Sequence, residues 1–191
     1  MKKILLLMAS CCFIGQGSMA AGLQALPIEA SYIIPAEVEG MSSSSLLLNG
    51  DWQFRFAPQG KWNTVQVPGE LAMQGYAIEH DTPYLYRKSF TLPADYKGKR
   101  VILRFDGVYS HAVLSVNGKQ VREHHGGFTR WETDVTEFVR PGKKNEIQLE
   151  ITDRIDDISY ASGYAHHPIG GILRDVTVFA LPETCFYDFA A

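Results

Sequence analysis

Two stretches hold most of the side chains outside the strand-like runs that could do chemistry. Gly69–Pro83, GELAMQGYAIEHDTP, carries Tyr76, Glu79, His80 and Asp81, and Asp153–Gly171 carries Tyr160, Tyr164, His166 and His167. Aromatic faces stack on the C–H faces of sugar rings, and neighbouring carboxylates and imidazoles exchange hydrogen bonds with hydroxyls. These eight residues are therefore candidate carbohydrate contacts. The same residue types also pack loops and make turns, and on residue type alone both readings stand. Loops this long inside a compact β domain are usually functional or packed on themselves.

Other chemistries find little support. The sequence has no Gly-x-Ser-x-Gly elbow, no phosphate-binding glycine loop and no His-Glu-x-x-His, and no cofactor is expected. His124-His125 and His166-His167 are adjacent pairs. Neighbours on a strand point to opposite faces, so neither pair is expected to hold a metal. Asp153, Asp156 and Asp157 could surround a calcium ion, although a solvated acidic loop explains them more simply. Glu79 with Asp81 is the one loop pair of carboxylates near enough in sequence to consider as acid and nucleophile.

These loops must be positioned by strands. Lys99–Val121 is the strongest structural signal, with Val101, Leu103 and Phe105 on one parity and Leu114 and Val116 repeating the alternation. Asn117-Gly118 supplies the two residues that a type I′ hairpin turn requires. Leu46–Phe56 alternates Trp52, Phe54 and Phe56 with Gln53 and Arg55; Trp62–Pro68 and Tyr84–Leu92 read as further strands. Val121–His125 and Phe128–Thr133 continue the meander, with Trp131 expected in the core. Asp134–Val139 reads as one turn of helix capped by Asp134 or Thr136. Asn145–Thr152 sets Ile147, Leu149 and Ile151 against Glu146, Gln148 and Glu150, and Ile172–Leu181 is the last strand. Eight or nine short strands without a substantial helix predict an all-β sandwich or jelly roll, with a closed barrel as the alternative.

The chain has 191 residues, 46% of them hydrophobic and 20% charged, which suits one domain with a sizeable core rather than two large ones. Its net charge of −3 offers no basic excess, so neither nucleic acid nor an anionic membrane is an expected partner. Lys2, Lys3, the apolar run Ile4–Ile14 and Ser18-Met19-Ala20 have the three-part form of a signal peptide over 1–20. Periplasmic or secreted localisation is expected, with processing as a lipoprotein at Cys11 as the alternative. The run is too short for a transmembrane segment. Cys11 and Cys12 leave with the signal, and Cys185 alone gives no internal disulfide. Residues 21–45, with Pro27, Pro35 and Ser42–Ser45, read as an irregular leader, 46–182 as the sandwich and 183–191 as a tail.

A set of short pieces adds a further implication. Tyr86-Arg87-Lys88-Ser89-Phe90, Arg104-Phe105-Asp106-Gly107-Val108, Val116-Asn117-Gly118-Lys119, Gly126-Gly127-Phe128, Asp134-Val135-Thr136, Asn145-Glu146-Ile147 and Gly170-Gly171-Ile172-Leu173-Arg174-Asp175-Val176 follow one another in order. In their order and spacing, from about Leu48 to Leu181, the chain resembles the N-terminal sugar-binding domain of glycoside hydrolase family 2, the β-galactosidase, β-glucuronidase and β-mannosidase group. The resemblance implies a jelly-roll-type, galactose-binding-domain-like β-sandwich. It implies a parent activity on O-glycosidic bonds, with two catalytic glutamates in a (β/α)₈ barrel that follows an immunoglobulin-like domain. This chain leaves no room for that barrel after the last strand, so on its own it is expected to be inactive. Its expected partners are a catalytic barrel, in cis or in trans, and carbohydrate bound weakly in isolation. Family β-galactosidases lend the sugar site an Asn and an Asp from loops that here read Tyr76–Pro83 and Tyr164–Ile169, without those residues in place. A different sugar is therefore expected at the same two loops. The alternative implication is a structural module that packs on a barrel without binding sugar alone.

Overall fold

Short alternations of apolar and polar side chains become twelve strands in the computed structural model, which describes residues 45–154 and 169–182. In chain order they are β1 (Ser45–Leu47), β2 (Gly50–Phe56), β3 (Asn63–Val67), β4 (Tyr84–Thr91), β5 (Arg100–Phe105), β6 (Val108–Tyr109), β7 (His111–Val116), β8 (Lys119–His125), β9 (Trp131–Asp134), β10 (Lys144–Thr152), β11 (Gly171–Ile172) and β12 (Val176–Leu181). The described residues fall in the unit Gly40–Ala191. Among them only two short 3₁₀ turns, Ala72–Gln74 and Ala94–Tyr96, are helical, and no helix is long and apolar enough to cross a membrane. The signal-peptide, leader and tail expectations, and Cys185, lie outside the described residues, apart from Ser45, which begins β1.

One antiparallel sheet runs β3-β2-β4-β10-β7-β8 and the other β1-β12-β5-β9, while β6 and β11 form a short third pair. The result is an all-β, jelly-roll-type β-sandwich. β5 and β7, neighbours in the Lys99–Val121 stretch, lie in different sheets. The dry faces of the two sheets meet: Leu114, Ile147 and Leu149 from the larger sheet and Val101, Leu103 and Phe105 from the smaller are each 1% exposed or less and share one core. Each such side chain contributes roughly 1.5–3 kcal/mol on removal from water. β10 is the spine of the larger sheet: Leu149 pairs with Tyr86 on β4 and with Leu114 on β7.

The β7–β8 turn takes the expected form, with Asn117 at φ 50° and Gly118 at φ 80°. The Asn117 side chain also donates to the Phe138 carbonyl (2.7 Å) and to Asn145 Oδ1 (2.9 Å), and accepts from the Glu146 N–H (3.0 Å). Next to the turn Ser115 pairs with Gln120, but Leu114 pairs with Arg122, so Val121 is an extra residue in β8. Beyond this bulge His111 faces His125, where an unbroken two-residue hairpin would have set it opposite His124.

Three expectations are corrected. The predicted last strand is two, because the Leu173 N–H donates to the Gly107 carbonyl (2.9 Å) and the Asp106 N–H to the Asp175 carbonyl (3.0 Å), breaking the ladder between β11 and β12. Asp134–Val139 is a turn and not a helical element: the Phe138 and Val139 N–H groups both reach the Val135 carbonyl and the chain goes no further. Asp134 caps it as expected, accepting from the Thr136 N–H at 3.0 Å. The strand predicted from Phe128 starts at Trp131, which is buried and stacks on Phe105 at 4.5 Å, whereas Phe128 is exposed and leans on Tyr109.

Candidate functional site

β4 and β7 begin, and β8 and β10 end, at one end of the sandwich; the first long loop arrives there at Tyr84 and the second leaves it after Thr152. Their stems are sewn together by backbone hydrogen bonds. The Gly69 N–H reaches the Ile172 carbonyl and the Leu71 N–H the Gly170 carbonyl, both at 2.9 Å, and the Asp81 N–H reaches the Asp153 carbonyl at 3.1 Å. Below them the buried Tyr84 hydroxyl donates to the Tyr109 carbonyl (3.1 Å) and accepts from the Gly171 N–H (2.9 Å). Burial pushes the Tyr84 phenol well above its ordinary range, with Tyr86 next in effect and the Gly171 N–H opposing it.

The glycine pair at this junction is there for space. A Cβ on Gly170 would sit 2.8 Å from both Ile78 Cγ1 and the Tyr84 hydroxyl. At Gly171, φ is +120° and a Cβ would lie 2.9 Å from the Gly69 carbonyl oxygen and the Tyr86 hydroxyl. The loop end is thus closed by the Tyr84 hydroxyl and by bare backbone, which fixes the stems.

Four of the eight candidate residues can be placed. Tyr76 is half-buried and packs on Phe54 at 4.8 Å, so its ring belongs to the rim of the core. Glu79, His80 and Asp81 are exposed. Asp81 sits at φ 58° and its carboxylate pairs with Arg154 at 3.0 Å, linking the first loop to the stem of the second. Tyr160, Tyr164, His166 and His167, with Asp156 and Asp157, lie outside the described residues. Asp153 is buried at the stem.

Two open depressions of about 390 Å³ each lie elsewhere, on the outer face of the larger sheet; Asp51, Arg87, Lys88 and Glu146 line one, and Asn117, Arg140 and Glu146 the other. Burial lowers the Lys88 ammonium, against the pull of Asp51, and the ammonium donates to the Asp51 carbonyl at 2.7 Å. The depressions are polar and shallow, unlike the apolar clefts that enclose small ligands.

The adjacent His124 and His125 do point apart, as a strand requires: His124 stacks on Trp131 at 4.9 Å, and His125 lies tilted against His111 at 4.4 Å. What the sequence reading missed is the partner across the hairpin. His111 and His125 converge on Glu123, and the signal that would have found them, a bulge at Val121, has no residue signature.

Residues 52–170 match the family described as glycosyl hydrolase 2 galactose-binding domain-like. A β-glucuronidase of Bacteroides fragilis is 34% identical over 155 residues, covering 73% of this chain and 21% of the relative. A β-galactosidase of Thermoanaerobacter pseudethanolicus is 32% identical over 148 residues, covering 74% and 20%. The chain therefore spans about a fifth of the length of these curated relatives. In three dimensions it overlays Ruminococcus gnavus β-glucuronidase with a TM-score of 0.68 at 22% identity, covering 76% of this chain and 29% of that one.

Proposed function

The chain belongs to the glycosyl hydrolase 2 family through its galactose-binding-like N-terminal domain, and on that premise we propose that residues 46–182 are the non-catalytic, carbohydrate-contacting domain of an exported β-glucuronidase- or β-galactosidase-like enzyme. The observation that carries the reading is the junction of the two long loops. Leu71 with Gly170, and Asp81 with Asp153 and Arg154, bring the Gly69–Pro83 loop onto both stems of the Asp153–Gly171 loop. Glu79 and His80 then stand exposed beside the stem from which Tyr160, Tyr164, His166 and His167 follow in sequence. The sugar class is a hexoside or hexuronide, after the substrates named for the relatives. The catalytic carboxylates would come from a barrel domain, in cis or in trans. Of the loop pair Glu79 and Asp81, Asp81 is held by Arg154, which suits a loop brace better than a nucleophile.

Binding by this domain alone is expected to be weak, on the order of millimolar or about −4 kcal/mol, since half the site belongs to the barrel. NMR titration of the full chain with glucuronate and galactose tests it. Shifts that vanish in Glu79→Ala, His166→Ala and His167→Ala support the loop site. Tight binding indifferent to both loops would move the site to the sheet-face depressions. Turnover of aryl β-glucuronides that survives purification and is lost in Glu79→Gln would make the domain an enzyme by itself. A second reading, packing on a barrel without sugar contact, draws support from two exposed apolar side chains, Met73 on the first loop (84% exposed) and Phe128 beside Tyr109 (55% exposed). Absence of any sugar-dependent shift favours it. Export rests on the sequence of residues 1–20, and N-terminal analysis of the secreted product should find Ala21; an acylated Cys11 would indicate the lipoprotein route.

A further inference from the structure

The β7–β8 hairpin carries a side-chain cluster that the loop site does not use. His111 and His125 are cross-strand partners, and Glu123 lies two residues before His125, on the same face. Glu123 Oε1 is 2.6 Å from His111 Nε2 and 3.3 Å from His125 Nε2. One ligand atom from each residue falls within 4.8 Å of the other two.

From this geometry we infer that His111, Glu123 and His125 form a binding site for a first-row divalent metal ion of the zinc type. Two imidazoles and one carboxylate are a donor set for zinc, copper or nickel; calcium and magnesium take oxygen ligands. Three protein ligands with one face open to water match a zinc coordination that keeps a solvent position. The His111 side chain is 9% exposed and fixed by packing, while those of Glu123 and His125 are 51% and 50% exposed. Tetrahedral zinc with bonds of about 2.0–2.1 Å needs its ligand atoms roughly 3.3 Å apart. Only the two exposed side chains have to swing, by about an ångström, to reach that spacing.

The backbone independently brings the cluster together. Without the extra residue Val121, His111 would face His124, which instead stacks on Trp131 on the opposite side of β8. The bulge re-aims the strand so that His125 and Glu123 meet His111. The site also adjoins the loop end. The Gly126 N–H donates to the Ser110 carbonyl (2.9 Å), and the Arg154 N–H to the Ser110 hydroxyl (2.8 Å). A bound ion would clamp the end of edge strand β8 to β7 next to the stem of the second loop.

Calorimetric titration of the metal-free full chain with zinc chloride tests the site, with thermal melting as a second readout. One ion per chain is expected, with micromolar affinity and a higher melting temperature that EDTA reverses. His125→Ala should weaken binding by about 100-fold and Glu123→Gln by about 10-fold. Both side chains are exposed, so these variants fold, which the buried His111 does not guarantee. Magnesium at the same concentration should neither bind nor raise the melting temperature. The inference fails if zinc uptake does not saturate, if it is undiminished in His125→Ala, or if magnesium binds equally well. In those cases the cluster is a hydrogen-bonded His–Glu–His brace and nothing more.

Discussion

The two ends of the sandwich are closed by opposite means. At the turn end, where β7 finishes and β10 begins, two asparagines satisfy the backbone. The buried Asn145 accepts from the Arg140 N–H (2.8 Å) and donates to the Arg140 and Lys143 carbonyls (3.0 and 2.9 Å), and Asn117 bridges it to Phe138 and Glu146. Asn145 serves its own turn, whereas Asn117 reaches a carbonyl and an N–H 21 and 29 residues away. At the loop end the connections are long, and the closure comes from the buried Tyr84 hydroxyl and from glycines that let backbone approach backbone. An end whose stems are pinned from beneath can change its loop tips without disturbing the sheets.

Both ends hang on β10, so the largest effect is expected between them. Leu149→Asp places a carboxylate where exposure is 0%, without a partner, and should cost several kcal/mol and leave no cooperative melt. Gln148→Asp, on the outer face beside Arg87, should change stability by less than about 0.5 kcal/mol. Circular dichroism melts of the two variants decide it; equal losses would deny that β10 has one wet and one dry face.

β10 was legible in the sequence because its alternation is regular and one-sided, and the Asn117-Gly118 turn because only such residues tolerate its φ values. Trp131 was legible as core because a tryptophan on a strand is more often buried than not. The sheet switch between β5 and β7 was not, since alternation tells which face is dry and not which neighbour a strand takes. The Val121 bulge had no marker, and the cluster at Glu123 was hidden behind it. Tyr76 shows the limit of residue type: an aromatic ring suited to stacking on a sugar lies against Phe54. Asp81 and Arg154, 73 residues apart, could be joined only by the fold.

A reciprocal pair of variants sharpens the contrast between the ends. Gly171→Ala combines an unfavourable φ with contacts of 2.9 Å to the Gly69 carbonyl and the Tyr86 hydroxyl, and should cost about 2–4 kcal/mol. Asn117→Ala strips the turn of its four side-chain hydrogen bonds, to Phe138, Asn145, Glu146 and Arg140, and should cost about 1–3 kcal/mol. Hydrogen exchange should show the first loosening residues 69–83 and the second loosening 117–119 and 138–146. Each variant loosening the far end equally would mean that the two closures are one cooperative unit.

Alkaline pH should act on the loop end. In the unfolded chain Tyr84 releases its proton near the ordinary value of about 10; in the folded chain burial, and then Tyr86, hold the proton on to higher pH. The folded state therefore binds more protons above pH 10, and stability falls as pH rises past that value. Tyr84→Phe should lose about 1 kcal/mol at neutral pH, with the bonds to Tyr109 and Gly171, and should decline less steeply above pH 10. An unchanged alkaline slope in urea melts would mean that the phenol is not shielded.

The smallest effect belongs to the tips. Asp81 and Arg154 are both well exposed, at 64% and 44% of their side chains, so their ion pair competes with water and with salt. Asp81 also adopts a left-handed φ of 58°, which Asn accepts about as readily. Asp81→Asn therefore removes the charge and keeps the backbone, and Arg154→Gln removes the other half. A double-mutant cycle on these two should give a coupling of about 0.2–1 kcal/mol at low salt, falling towards zero in 1 M sodium chloride. The stems are already joined by the Asp81 N–H to Asp153 carbonyl bond, which neither substitution touches. A coupling above about 2 kcal/mol that persists in high salt would put the closure of the loop end in its charged tips instead of Tyr84, and the two ends would then differ less than their hydrogen bonds suggest.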